Sequence, residues 1–146
     1  MKTLITGGSG LLGQHLNLTI SAKHNILSIY NSNIGNCAEF NSIKVNLLDP
    51  VKLSRVYTDF RPEVVIHTAA ISHPILPDGI SSKDVYDLNV TATKNIAELC
   101  EKFNSKLIYT STDLVYAGYR GSMLKEEAKL IPISLYAETK LMGEIK

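Results

Sequence analysis

Short apolar runs and longer amphipathic stretches take turns along this chain from one end to the other. Lys2–Thr6 predicts a buried strand, and Gly10–Lys23 a helix with Leu11, Leu12, His15, Leu16 and Ile20 near one face. Asn25–Tyr30 predicts a second strand and Ser42–Asn46 a short third. Asp49 followed by Pro50 supplies an N-cap and a proline at the first helical position, opening a helix to about Phe60. Glu63–Thr68 is nearly continuous in apolar residues, as suits a parallel strand covered on both faces. A loop with Pro74, Pro77 and Gly79 leads into a helix from about Ser82 to Phe103, and Ser81 and Asp84 have the spacing of a capping box. Lys106–Thr110 predicts a fifth strand, and a last helix starts near Tyr136.

This alternation predicts an α/β fold, a doubly wound parallel sheet with right-handed crossovers. A reversal of direction after the third strand gives the order 3-2-1-4-5 and places a ligand crevice above the carboxyl ends of strands 1 and 4. The loop Tyr119–Ser134 is long enough to suggest a lid over that end. The 146 residues make one domain, and 45% hydrophobic with 20% charged residues is ordinary for a globular chain. A formal net charge of +1, with scattered Lys and Arg, offers no footprint for nucleic acid. Cys37 and Cys100 fit no metal or redox spacing and read as idle thiols of a reducing compartment. The four histidines (His15, His24, His67 and His73) show no ligand spacing either, so no metal is expected. No signal core or membrane-length apolar run is present, and the expected location is the cytoplasm.

Gly7, Gly10 and Gly13 follow a strand and open a helix. That context is what a dinucleotide fingerprint requires, because missing side chains admit the pyrophosphate and the helix N-terminus offers it unpaired N–H groups. Gly7, Ser9, Gly10, Leu11, Leu12 and Gly13 are therefore the expected cradle. At the end of strand 2, where a carboxylate usually binds the adenosine ribose, the chain has Tyr30-Asn31-Ser32-Asn33. Nothing there repels a 2′-phosphate, and no arginine demands one. The expected cofactor is NADP(H) or NAD(H), with a lean to the former, and Tyr30 and Asn31 are assigned to its ribose.

Tyr136 and Lys140 stand four apart on one helix face. Thr110-Ser111-Thr112-Asp113 lies at the end of strand 5, where such a sheet keeps its chemistry, and Asn89 is a polar residue inside the long helix that is either exposed or part of the site.

The glycine turn, Ser111-Thr112-Asp113 and Tyr136-x-x-x-Lys140 together resemble the extended short-chain dehydrogenase/reductase superfamily. The segments Arg61–Ala70, Ser111–Gly118 and Leu135–Glu144 are most similar to its dTDP-4-dehydrorhamnose reductase branch. The resemblance implies that Thr112 hydrogen-bonds a substrate carbonyl and that Tyr136 protonates it. It implies that Lys140 binds the nicotinamide ribose and lowers the tyrosine pKa. Bringing a phenol from about 10 toward 7 needs about 4 kcal/mol, the order of energy that an ammonium about 4 Å away supplies at intermediate dielectric. The resemblance also implies that Thr68, Ala69 and Ala70 pass beneath the cofactor, with Asn89 near it. Asn46 and Leu47 fall where the family places adenine recognition, with asparagine in place of the usual acid.

Family members run about twice this length, so the NAD(P)-binding Rossmann domain 1–146 is expected to be incomplete at its C-terminus, lacking a substrate lobe. The implied partner is a nucleotide-sugar substrate, with a homodimer through the long helix and the last one. Two function classes follow. One is the cofactor half of a nucleotide-sugar 4-keto reductase, or of a related epimerase or dehydratase. The other is a non-catalytic dinucleotide-binding regulatory subunit.

Overall fold

Five parallel strands pair in the order β3-β2-β1-β4-β5, as the alternation of elements predicts. They are β1 Lys2–Thr6, β2 Asn25–Tyr30, β3 Ser42–Lys44, β4 Val64–His67 and β5 Lys106–Tyr109. The computed structural model describes residues 1–73, 76–116 and 123–145. Pro74, Ala117, Gly118 and the part of the proposed lid from Tyr119 to Ser122 lie outside the described residues. The third strand is shorter than Ser42–Asn46 because the chain turns at once, with Asp49 N–H donating to the Asn46 carbonyl.

Helix α1 is Leu11–Ile20, α2 Pro50–Phe60 and α5 Leu135–Ile145. Between β4 and β5 the predicted single helix is instead α3 Ser82–Tyr86, a π-helical segment Asp87–Thr91 and α4 Ala92–Phe103. Ser81 and Asp84 close the predicted capping box at its start. Asp49 caps α2 through Lys52 N–H at 3.0 Å. Leu53, Val56 and Tyr57 of α2 and Ile96 and Cys100 of α4 bury one sheet face against Leu4, Ile29 and Val65. The reading of α1 needs correcting, because Leu11 and Leu12 are exposed and its buried residues are Gly13 and Asn17. The helix runs so close to the glycine turn that only small or hydrogen-bonding side chains fit on its inner face.

Parallel register aligns Ile29, Thr6, His67 and Tyr109 in one row across the sheet, at the carboxyl ends of the strands. The crevice opens above that row. Among the described residues no helix is long and apolar enough to cross a membrane, and no group of His, Cys, Asp or Glu could hold a metal ion. Cys37 and Cys100 are free and buried.

Candidate functional site

The glycine turn is held by its own backbone. Gly8 N–H donates to Ile29 O and Gly10 N–H to Gly7 O, each at 2.9 Å. Gly7 has φ +70°, and a Cβ there would lie 2.8 Å from the backbone of Ala69. The first intrahelical bond of α1 runs from Gln14 N–H to Gly10 O, so the N–H groups of Leu11, Leu12 and Gly13 have no acceptor within the helix. These three residues thus contribute backbone donors, while the leucine side chains point to solvent. Beneath the turn lies Asn17, which the sequence reading passed over. Its amide donates to Gly8 O at 3.1 Å and accepts from the Ser28 hydroxyl, tying the turn to β2. The signal was available, since Asn17 stands one helical repeat beyond Gly13.

Above the turn opens a crevice of about 450 Å³. Of the predicted cofactor residues, its walls include Gly7, Ser9, Gly10, Tyr30, Asn31, Asn46, Leu47, Thr68, Ala69 and Ala70. Ser32, Asn33 and His73, not among those predicted, complete the polar lining. Among the described residues that line it there is no carboxylate and no Lys or Arg. The Asn46 side-chain oxygen accepts from Leu48 N–H at 3.0 Å, leaving one lone pair for another donor. The Thr68 hydroxyl donates to Thr6 O at 2.7 Å, which holds the end of β4 flat against β1.

Asn89 takes the inner of the two places the sequence left open. It is buried, and its amide brackets the backbone of Ile71, accepting from N–H at 2.9 Å and donating to the carbonyl at 3.0 Å. Its second amide hydrogen goes to Thr139 Oγ1 at 3.0 Å, and Thr139 in turn donates to Tyr136 O. With both hydrogens used, the side chain joins the loop after β4 to α5 and has none left for a cofactor.

Helix α5 begins where Ser134 Oγ accepts from Ala137 N–H at 3.2 Å. Tyr136 is half-buried and Lys140 is 2% exposed. Burial pushes the Lys140 amine down to about 8, opposed by the Glu144 carboxylate. Its Nζ lies 3.9 Å from the centroid of the Tyr109 ring. The Tyr136 phenol is raised above its ordinary value by burial, and Lys140 does not lower it. The ammonium rests on the Tyr109 ring. Thr112, half-buried at the end of β5, caps the short turn Asp113–Val115 by accepting from Leu114 N–H at 3.3 Å. Ser111 donates to Glu144, so this loop and the end of α5 are joined. Thr112, Tyr136 and Lys140 lie outside the lining of the crevice.

His67 sits at the centre of the row. Thr93 Oγ1 donates to Asn89 O at 2.7 Å, so it accepts from His67 Nε2–H at 2.9 Å. Nδ1 then accepts from the Thr6 hydroxyl at 2.6 Å. Both contacts fit a neutral ring. Burial, and then the charge of Lys140, lower its pKa to about 3. An unfolded histidine titrates near 6.5, so the unfolded chain takes up the proton first as pH falls. Stability from this group is full above 6.5 and erodes toward 3. Denaturant unfolding should show wild type losing about 2 kcal/mol more than His67→Asn between pH 7 and pH 5. Equal losses would contradict a neutral buried ring.

The family model described as RmlD substrate binding domain matches residues 1–146. The chain is 34% identical to methionine adenosyltransferase 2 subunit beta of Pongo abelii, over 98% of this chain and 41% of that protein. The solved structure of a hypothetical dTDP-4-dehydrorhamnose reductase from Sulfolobus tokodaii superposes with TM-score 0.87 and 33% identity, covering 99% of this chain and 51% of that one. The Bordetella bronchiseptica enzyme WbmG in complex with NAD gives TM-score 0.85 and 28% identity over 99% and 48%. The chain therefore spans about half the length of these solved structures, or somewhat less of the curated relative.

Proposed function

The chain belongs to the RmlD substrate binding domain family, and from that premise we propose that it is the cofactor-binding and catalytic-residue half of an NAD(P)H-dependent reductase of a nucleotide-linked 4-keto-6-deoxy sugar. The observation that carries this reading is a glycine turn with no room for a side chain, in the same domain as a helix bearing Tyr136 and a buried Lys140. The cradle fits a dinucleotide: a Cβ at Gly7 or Gly13 would strike backbone, and free N–H groups of α1 face an anion's position. When bound, the reduced dinucleotide supplies a hydride. Thr112 orients the sugar carbonyl through its hydroxyl. Tyr136, whose raised pKa keeps the phenol protonated at neutral pH, gives its O–H proton to the carbonyl oxygen. Lys140 holds ribose hydroxyls and keeps a positive charge beside the reacting groups. The NAD complex of WbmG supports the cofactor, and the likeness to the hypothetical Sulfolobus reductase supports the reaction. Free, buried thiols suit a reducing cytoplasm.

A second reading, a dinucleotide-binding regulatory subunit without turnover, is favoured by the 34% identity to a protein named as a subunit beta. The two separate in one assay. NADPH or NADH is mixed with dTDP-4-keto-6-deoxy-mannose, and with this chain or any longer frame that carries it. Substrate-dependent loss of reduced nicotinamide absorbance is the expected result. Cofactor binding with no turnover in either form would sink the reductase reading and leave the regulatory one.

A further inference from the structure

We propose that Tyr109 is a positioning residue for Lys140: its ring face, backed by the His67 imidazole, seats the lysine ammonium at the carboxyl end of β5. The row of aligned strands fixes this stack before any side chain is considered, because His67 and Tyr109 are register partners on β4 and β5. Their ring centroids lie 5.7 Å apart at an interplanar angle of 32°. Lys140 approaches from α5, with Nζ 3.9 Å from the Tyr109 centroid. A cation at that distance meets the negative face of the ring, an attraction that grows when water is excluded.

Two further contacts hold the helix against the same ring. The Tyr109 hydroxyl donates to Lys140 O at 3.2 Å. Gly143 leaves the space the ring edge occupies, since a Cβ there would fall 2.9 Å from Tyr109 Cζ. Among the described residues, the charged and titratable groups of this cluster are His67, Tyr109, Tyr136 and Glu144. His67 is held neutral by Thr6 and Thr93, so it backs the ring without adding a repelling charge. Glu144 is one helical turn away, but its carboxylate accepts from Ser111 on the loop after β5. The aromatic face is therefore the seat, and the carboxylate acts on Lys140 through its charge.

The consequence for catalysis rests on the reductase reading; the seating itself does not. The test labels lysines with an amine-acylating reagent across pH and reads Lys140 by peptide mass spectrometry. Wild type, Tyr109→Phe and Tyr109→Leu are compared, with Tyr109→Met used if leucine at this position does not fold. Wild type should react with a midpoint near 8. Tyr109→Phe keeps the face and should keep that midpoint. Tyr109→Leu keeps the burial but loses the face, and its midpoint should fall by about one unit. Coincident curves for wild type and Tyr109→Leu would overturn the proposal, as would a displacement in Tyr109→Phe as large as in Tyr109→Leu. In parallel, NADH titration should show affinity retained in Tyr109→Phe and weakened several-fold in Tyr109→Leu. If wild type binds no NAD(P)H, the functional reading fails, and the labelling curves alone still decide the seating.

Discussion

Gly13→Ala should weaken NAD(P)H binding at least 100-fold and destabilise the chain by about 3 kcal/mol, near the upper end of what overpacking costs. A Cβ at Gly13 would strike Gly7 O and fall 2.7 Å from Gly8 Cα and 2.8 Å from Gly7 C. All three are backbone atoms of the turn, so no rotamer change relieves the clash. Helix α1 would have to retreat, carrying with it the N–H groups of Leu11, Leu12 and Gly13. The Asn17 amide, which holds Gly8 O from the same helix, would be pulled off its acceptor. Gly10→Ala is the matched control, because a Cβ there meets only Gly7 O, at 3.2 Å. Its losses in binding and in denaturant midpoint should be clearly smaller. Equal losses in the two variants would mean that flexibility of the turn, and not the closeness of α1, sets the site.

Tyr136→Phe should lower kcat by 10²- to 10⁴-fold in the protein that turns over, the range expected when a positioned proton donor is removed. The cofactor dissociation constant should stay within about twofold, since Tyr136 lies outside the lining of the crevice. The helix should also survive: Thr139 uses the backbone carbonyl of Tyr136, and Ser134 caps at Ala137. A variant that retains turnover would remove Tyr136 from the role of acid. A variant that loses binding and turnover together would make the phenol part of the cradle instead.

Strand order and the glycine turn were legible because each follows from local rules: period, turn residues and the right-handed crossover. The capping residues Asp49 and Ser81 were legible for the same reason. What escaped were features decided between elements. Leu11 and Leu12 suggested an apolar face, yet the close approach of α1 to the turn selects Gly13 and Asn17 for the inside. The π-helical segment has no sequence period of its own. It goes with Asn89 reaching to Ile71 and Thr139, and with Thr93 bonding Asn89 O. The phenol of Tyr136 was expected to be lowered by a lysine four residues on. Spacing on one helix could not reveal that Tyr109, from a strand, would take that ammonium.

The central claim is that the crevice above β1 and β4 is a dinucleotide site, and direct titration tests it most simply. NADPH and NADH fluorescence is followed against wild type and Gly13→Ala. The account predicts saturable binding to wild type, with NADPH bound at least as well as NADH because no carboxylate lines the described crevice, and no saturation with Gly13→Ala. Failure of wild type to saturate with either nucleotide, or equal binding by the variant, would contradict it.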